Sequence, residues 1–150
     1  EYFVGSPVSG RAIPMKEVPD ATFAAEILGK GMAVIPAEGK MAAPCDGEIT
    51  ALFETKHAIG LRTAEGMDLL IHVGINTVEL KGKYFEAHVC QGDRVVRGQL
   101  LLTFDIDKIK EAGYDVTTPV IVANTGDYGT VEDVKTGNIA QLEPLIRVET

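Results

Sequence analysis

Between residues 56 and 74 the sequence reads Lys56-His57-Ala58-Ile59-Gly60-Leu61-Arg62-Thr63-Ala64-Glu65-Gly66-Met67-Asp68-Leu69-Leu70-Ile71-His72-Val73-Gly74. Two short apolar runs flank a polar turn at residues 63–66, and each run carries one histidine. Apolar runs separated by a short turn that contains glycine are typical of a β-hairpin. The stretch therefore predicts two paired strands, and the pairing decides where His57 and His72 lie.

The length of the hairpin loop sets the relation between the two histidines. A two-residue turn at Ala64-Glu65 places His57 opposite His72, and a turn at Glu65-Gly66 places His72 opposite Ile59, beside His57. Directly opposed residues have Cβ atoms roughly 4.5–5.5 Å apart. Only a loop of odd length would put the histidines on opposite faces, because a shift of one residue flips the face. The even loops predict two adjacent imidazoles.

In the rest of the chain, glycine and proline are spaced as in an all-β protein. Gly and Pro recur at intervals of about 8 to 12 residues with short β-branched runs between them, which favours a sandwich or barrel. Two short helices interrupt the strands. Asp20 can cap a helix that extends to Gly29 with Phe23 and Ile27 on one face, and a second helix is predicted between residues 105 and 113.

Composition and charge exclude several classes of protein. The 150 residues carry a formal net charge of −8, whereas nucleic-acid binding without sequence preference needs a basic surface. No apolar run approaches the roughly 18 residues of a membrane span, so we expect no membrane insertion. Cys45 and Cys90 form no CxxC motif, which favours free, buried thiols and a cytoplasmic location. Because the chain begins at Glu1, we expect one domain, residues 1–150, cut from a longer protein.

Adjacent imidazoles on a sheet admit three roles. They could be core residues, which is the usual place of a histidine on an apolar face. They could bind a metal, but zinc takes three or four protein ligands, and His88, Cys45 and Cys90 lack ligand spacing. They could also be a nucleophile and its partner, because a neutral imidazole near pH 7 is a good nucleophile and forms covalent intermediates.

The third role suits phosphoryl transfer. The second histidine would donate a hydrogen bond to the phosphoryl oxygens, in a reaction where the protein mainly positions groups and stabilises charge. Thr55 lies two residues before His57, so along a regular strand its hydroxyl would point to the same face.

A family resemblance supports this role. The sequence Gly66-Met67-Asp68-Leu69-Leu70-Ile71-His72-Val73-Gly74-Ile75-Asn76-Thr77-Val78 resembles the phosphorylation-site signature of the glucose-type IIA proteins of the bacterial phosphoenolpyruvate-dependent sugar phosphotransferase system. Thr55-Lys56-His57-Ala58-Ile59-Gly60 resembles the second motif of that family. The likeness covers the chain roughly from Ser6 to Val148.

The resemblance implies a flattened antiparallel β-sandwich or barrel with Greek-key elements and one or two short helices. It implies a phosphotransferase in which His72 accepts a phosphoryl group on Nε2 from the phosphocarrier HPr. His72 would then pass the group to a cysteine of the IIB domain of a sugar permease. His57 would hold the phosphohistidine, Thr55 would orient a histidine, and no cofactor or metal would take part.

The resemblance also implies a docking surface for the partners. Phe23, Phe53, Leu70 and Val78 match apolar positions of that surface, and Asp20 matches an acidic position at its rim. Because HPr presents positive charge there, an acidic rim would steer association. Asn76 stands where well-studied glucose-specific members carry Asp, which should weaken the attraction to HPr and leave the chemistry intact.

The resemblance is strongest to IIA domains fused to β-glucoside permeases, although glucose, sucrose and trehalose permeases use similar domains. Such fusion would make this chain the cytoplasmic domain of an inner-membrane permease. Two other functions stay open. The phosphorylation state of His72 could only control partner binding, as in a regulatory module, or the chain could be a metal-binding structural sandwich.

Overall fold

The computed structural model of the protein describes residues 1–150. Its regular structure is mostly extended. The strands are β1 Tyr2–Gly5, β2 Gly10–Pro14, β3 Lys30–Pro36, β4 Lys40–Ala42, β5 Gly47–Leu52, β6 Ala58–Thr63, β7 Asp68–His72, β8 Phe85–Ala87, β9 Arg94–Val95, β10 Leu100–Phe104, β11 Thr118–Val122, β12 Thr130–Asp133, β13 Gly137–Ile139 and β14 Pro144–Glu149. The helices are α1 Ala21–Ala24 and α2 Ile106–Glu111.

The strands form three antiparallel sheets. An eight-stranded sheet has the order β13-β2-β3-β11-β7-β6-β5-β9, and two three-stranded sheets have the orders β1-β14-β12 and β4-β10-β8. Strand β11 pairs with β3 on one side and β7 on the other, so distant parts of the chain meet in the centre of the large sheet. Non-sequential neighbours of this kind are typical of Greek-key sandwiches, which confirms the predicted fold class.

The core divides into two apolar clusters. The larger one fills the space between the sheets and includes Ile59, Leu61 and Ile71, none of which is exposed. The smaller one lies on the other face of the large sheet, where Phe23 and Ile75 pack together and half-buried Leu70 contacts them. The strand β7 thus faces the main core at Leu69 and Ile71 and the smaller cluster at Leu70. At His72, the end of β7, the face of the large sheet that carries the smaller cluster becomes accessible to solvent.

Both predicted helices exist, but the first is shorter than predicted. The Asp20 carboxylate accepts hydrogen bonds from the backbone N–H groups of Thr22 and Phe23, as an N-cap does. The helix ends at Ala24, and Glu26 follows with a φ of +57°, in the left-handed region. That turn leaves Ile27 72% exposed instead of beside buried Phe23, so the prediction of a shared face was wrong.

Candidate active site

The hairpin forms at the predicted place, but its loop has odd length. Ala58 pairs with His72 and Arg62 with Asp68, and the Thr63 N–H donates to the Met67 carbonyl at 2.8 Å. The loop is therefore residues 64–66, and both even-loop registers were wrong. A three-residue loop that ends in a left-handed glycine suits this sequence, since Gly66 has a φ of +94°.

The imidazoles are adjacent despite that register, because His57 precedes β6 instead of belonging to it. Lys56 has a φ of +57°, so the backbone turns sharply just before His57 and the strict alternation of a strand does not apply. The His57 carbonyl accepts a hydrogen bond from the Val73 N–H at 2.7 Å, which ties this turn to the end of β7. The ring centroids of His57 and His72 lie 4.7 Å apart with the planes at 80°.

A backbone carbonyl fixes the orientation of His72. Its Nδ1 lies 2.7 Å from the Gly74 carbonyl oxygen. Because a carbonyl can only accept, Nδ1 carries the hydrogen, and in the neutral ring Nε2 then holds a free lone pair.

The Gly74 position requires glycine. Its φ is +81°, and a Cβ there would lie 2.5 Å from the Thr77 methyl and 2.8 Å from the Asp115 carbonyl oxygen. Glycine therefore follows two residues after His72 because the turn at Gly74 directs the Gly74 carbonyl toward the imidazole.

A side chain orients His57. The Thr55 Oγ1 and the His57 Nδ1 are 2.6 Å apart. Thr55 reaches the ring from the turn between β5 and β6, not along a regular strand, so the basis of that expectation was wrong while the contact itself is present. A hydroxyl can donate to Nδ1, and the opposite nitrogen of a neutral His57 then carries its N–H.

Burial keeps both imidazoles neutral near pH 7. Desolvation lowers the pKa of His57 from 6.5 to about 4, and repulsion from His72 adds to this effect. Desolvation also lowers the pKa of His72, although the Gly74 carbonyl and the Asp20 carboxylate act in the opposite direction. A neutral imidazole has the lone pair that nucleophilic chemistry needs.

Apolar side chains lie beside the pair. The Phe23 ring centroid lies 5.0 Å from that of His72, and the Phe53 ring centroid lies 5.4 Å from that of His57. Leu70 lies on the same face of β7 as His72. Phe53, which precedes His57 in the chain, is 44% exposed, and Val78, which follows His72, is 47% exposed. Exposed apolar groups around a polar centre are typical of a protein-binding surface.

Two further apolar residues were missed as surface candidates. Ile27 and Leu28 follow α1 and are exposed, although the predicted helix placed Ile27 on one face with Phe23. Their exposure follows from the early end of α1, which the sequence pattern did not predict. Asp20 acts both as the cap of α1 and as a negative charge near His72.

The remaining candidate ligands lie apart from the pair. His88 is exposed, and its Nε2 lies 3.0 Å from the Thr103 Oγ1. The cysteines are both free, but Cys90 is exposed, so the expectation of two buried thiols was wrong. Burial raises the pKa of the Cys45 thiol to about 11. No group of three or more His, Cys, Asp or Glu side chains is placed to hold a metal ion.

Fold and site together define a class: an all-β sandwich with two adjacent, neutral imidazoles beside an exposed apolar surface. The family model for the phosphoenolpyruvate-dependent sugar phosphotransferase system, EIIA 1, matches residues 3–128. The chain belongs to this family, whose members are components of that phosphotransferase system.

Individual relatives agree with the family. The chain is 43% identical over 135 residues to the glucose-specific EIIA component of Oceanobacillus iheyensis, covering 90% of the chain and 82% of that protein. It is 47% identical over 143 residues to the beta-glucoside-specific EIIBCA component of Dickeya chrysanthemi, covering 95% of the chain. The chain spans only 23% of the length of that multidomain protein.

A solved structure has the same fold. The glucose permease IIA from Mycoplasma capricolum superposes with a TM-score of 0.89 at 35% identity, covering 97% of this chain and 94% of that one. No helix of the protein is long and apolar enough to span a membrane.

Proposed function

We propose that this chain is a phosphocarrier, in which His72 accepts a phosphoryl group from phosphorylated HPr and passes it to a cysteine of a IIB domain. One observation carries the proposal. The hydrogen bond from the His72 Nδ1–H to the Gly74 carbonyl, 2.7 Å long, leaves Nε2 as the nitrogen with the free lone pair. The lowered pKa of His72 keeps that lone pair unprotonated near pH 7.

The first transfer needs no cofactor. The His72 Nε2 lone pair attacks the phosphorus of phosphorylated HPr, an N–P bond forms, and the bond between phosphorus and the donor breaks. The His72 ring then becomes positively charged, and the Gly74 carbonyl stabilises that charge through its hydrogen bond to Nδ1. The catalytic work is positioning and electrostatic stabilisation, as is general for phosphoryl transfer.

His57 is the partner of the phosphorylated state. Thr55 donates to the His57 Nδ1, so that the N–H of Nε2 is available to a phosphoryl oxygen on His72. The 4.7 Å between the ring centroids is suited to such a bridge. A donor of this kind also stabilises the charge that develops when a IIB thiolate attacks, forming an S–P bond and breaking the N–P bond at His72.

The surface around the pair is proposed as the docking site for both partners. Phe23, Phe53, Leu70 and Val78 supply apolar contact, and Asp20 supplies negative charge for the basic surface of HPr. Asn76 lies on the turn after His72. Because it is neutral, it adds no negative charge to that rim, unlike an Asp at the same position. Electrostatic steering of this type acts mainly on the association rate.

We further propose that residues 1–150 act as one IIA domain of a multidomain permease and that the permease carries β-glucosides. The support is the similarity of nearly the whole chain to part of a β-glucoside EIIBCA component. Because the chain is also 43% identical to a glucose-specific EIIA component, the choice of sugar is tested through the permease partner. Transfer assays with IIBC components of β-glucoside and glucose permeases would reveal the cognate partner as the faster acceptor.

The first test is the intact mass of the chain after incubation with phosphoenolpyruvate, Enzyme I and HPr. We expect one added phosphoryl group that is lost in acid, none on His72→Ala, and one on His88→Ala, the matched variant at an exposed histidine. An unmodified native chain would contradict the proposal. Acceptance without onward transfer to any IIB domain would instead favour a regulatory module.

A further inference from the structure

The turn that follows His72 is stabilised by a residue that is not hydrogen-bonded to the imidazole. Thr77 begins the 3₁₀ turn Thr77–Leu80 and is completely buried. Its Oγ1 donates a hydrogen bond to the Val73 carbonyl at 2.5 Å. No backbone N–H donates to that buried carbonyl, so the hydroxyl is its hydrogen-bond partner.

The Val73 carbonyl and the Gly74 N–H belong to one planar peptide unit, so fixing both ends fixes the orientation of the plane. Thr77 holds the carbonyl end. The Thr117 carbonyl holds the other end, because it accepts from the Gly74 N–H at 3.0 Å. The next carbonyl in the chain is that of Gly74, which receives the hydrogen bond from His72.

The backbone here needs such support. Gly74 and Asn76 have φ values of +81° and +60°, so two of three successive residues lie in the left-handed region. For a residue with a side chain this region costs about 1–2 kcal/mol. The Ile75 N–H bond to the Asp115 carbonyl, 3.0 Å long, anchors one side of the turn, and Thr77 closes the other.

We infer that Thr77 is a positioning residue of the phosphoacceptor site. By fixing the Val73–Gly74 peptide plane, its hydroxyl keeps the Gly74 carbonyl on the His72 Nδ1 and so keeps Nε2 free. This inference rests on the proposed function, since it assigns a role to the free Nε2. It extends that function to a residue outside the histidine pair.

Loss of the hydroxyl leaves a buried carbonyl without a partner, which is unfavourable, so we expect the peptide plane to rotate toward another donor. The Gly74 carbonyl then moves with the same backbone, and His72 can place its proton on either nitrogen. The ring with the proton on Nε2 cannot accept a phosphoryl group there. The hydroxyl therefore controls how much of His72 is in the reactive tautomer.

Two variants isolate the hydroxyl. Thr77→Ser and Thr77→Ala both lack the methyl group that lies over Gly74, and they differ from each other only by the hydroxyl. The ¹⁵N shifts of His72 report its tautomer, and stopped-flow mixing with phosphorylated HPr gives the second-order rate constant. Thermal unfolding of both variants records any general loss of stability.

We expect Thr77→Ser to retain the tautomer with the proton on Nδ1 and a rate within about twofold of the native chain. For Thr77→Ala we expect a mixture of tautomers and a rate lower by about tenfold or more, which is the scale on which misplacing a reacting group acts. A merely structural role would lower the unfolding temperature of Thr77→Ala without changing the His72 tautomer. That result would overturn the inference.

The two proposals fail in different ways. If the native chain accepts no phosphoryl group, the proposed function fails, while the tautomer comparison still decides the role of Thr77. If Thr77→Ala does not fold, Thr77→Val takes its place, because it retains the methyl over Gly74. If neither folds, Thr77→Ser decides alone: a mixed tautomer in a variant that keeps the hydroxyl overturns the inference, and a pure one supports it.

Discussion

The two histidines are held in different ways. His72 ends a regular strand, and its ring is fixed by a backbone carbonyl on a turn that is itself bonded to the segment before β11. His57 lies in an irregular turn, and its ring is fixed by the Thr55 hydroxyl, a single side chain. The proposed roles agree with this difference, since the atom that forms the covalent bond has the more rigid support.

The contrast predicts where substitution does the most harm. Changes on the His72 side should distort the backbone and remove both stability and acceptance. Changes on the His57 side should leave the fold and acceptance largely intact and slow the later transfer.

The largest effect is expected for Gly74→Ala. The new Cβ would lie 2.8 Å from the Asp115 carbonyl oxygen and 2.5 Å from the Thr77 methyl, at a φ of +81°. We expect a loss of about 4 kcal/mol in the free energy of unfolding, from overpacking together with the left-handed backbone. Urea denaturation measures the loss, and the phosphorylation rate should fall more than about 100-fold.

Gly66→Ala is the matched control. Gly66 also has a positive φ, +94°, but a Cβ there meets nothing within 4 Å. Only the backbone penalty of about 1–2 kcal/mol should remain, with normal phosphorylation. Equal losses in the two variants would show that crowding at the turn after His72 is unimportant.

The second effect is the dependence of stability on pH. The pKa of His57 is about 4 in the folded chain and 6.5 in the unfolded chain, so between these values only the unfolded chain binds the proton. Stability from this group is complete above pH 6.5 and is lost as the pH falls toward 4, by at most about 3 kcal/mol. His72 acts in the same direction, because its pKa is also lowered.

Urea denaturation between pH 4 and pH 8 tests this difference. His57→Gln should lose less stability over that range than the native chain, and His88→Gln, at the exposed histidine, should follow the native curve. A native chain whose stability is flat between pH 6.5 and pH 4 would show that neither imidazole is buried in its neutral form.

The third effect separates the two transfers. His57→Gln removes the imidazole Nε2–H that we propose donates to the phosphoryl group. Because this donor acts mainly on the phosphorylated state, we expect acceptance from HPr within about threefold of native. Transfer to the IIB cysteine should slow by about 100-fold, the scale of losing one donor to a developing charge. Rapid-quench measurement of each step decides this, and native transfer by His57→Gln would remove the role given to His57.

The hairpin and its two histidines could be predicted from the sequence, because apolar runs around a glycine-containing turn carry a local signal. The odd loop could not, since the placement of Gly66 in the loop depends on the pairing of the whole strand. The turn at Lys56 could not be predicted from the sequence either. Left-handed backbone at a residue with a side chain has no clear pattern, yet this turn restores the adjacency that the odd loop would have removed.

The same limit applied near Phe23. An Asp cap, two apolar residues four apart and a closing glycine were consistent with a helix from Asp20 to Gly29, but Glu26 interrupts it. The hydrogen bonds that hold the turn after His72 were beyond local reasoning for another reason. They join residues 74 and 75 to residues 117 and 115, which meet only because β11 pairs beside β7.

The smallest predicted effect tests the side-chain support of His57 alone. In Thr55→Val the hydroxyl that lies 2.6 Å from the His57 Nδ1 is replaced by a methyl group of similar size. His57 can then place its proton on either nitrogen, and loss of one such hydrogen bond corresponds to about 1 kcal/mol. We expect transfer to the IIB cysteine to slow by about fivefold to tenfold, with acceptance from HPr unchanged.

Thr55→Ser is the control, because it keeps the hydroxyl and should transfer at the native rate. Since Thr55 is only partly buried, neither variant should change the free energy of unfolding by more than about 1 kcal/mol. If Thr55→Val instead lowers acceptance as much as onward transfer, Thr55 supports both histidines. The two transfer steps would then not be separated by the difference between His72, which a backbone carbonyl orients, and His57, which a side chain orients.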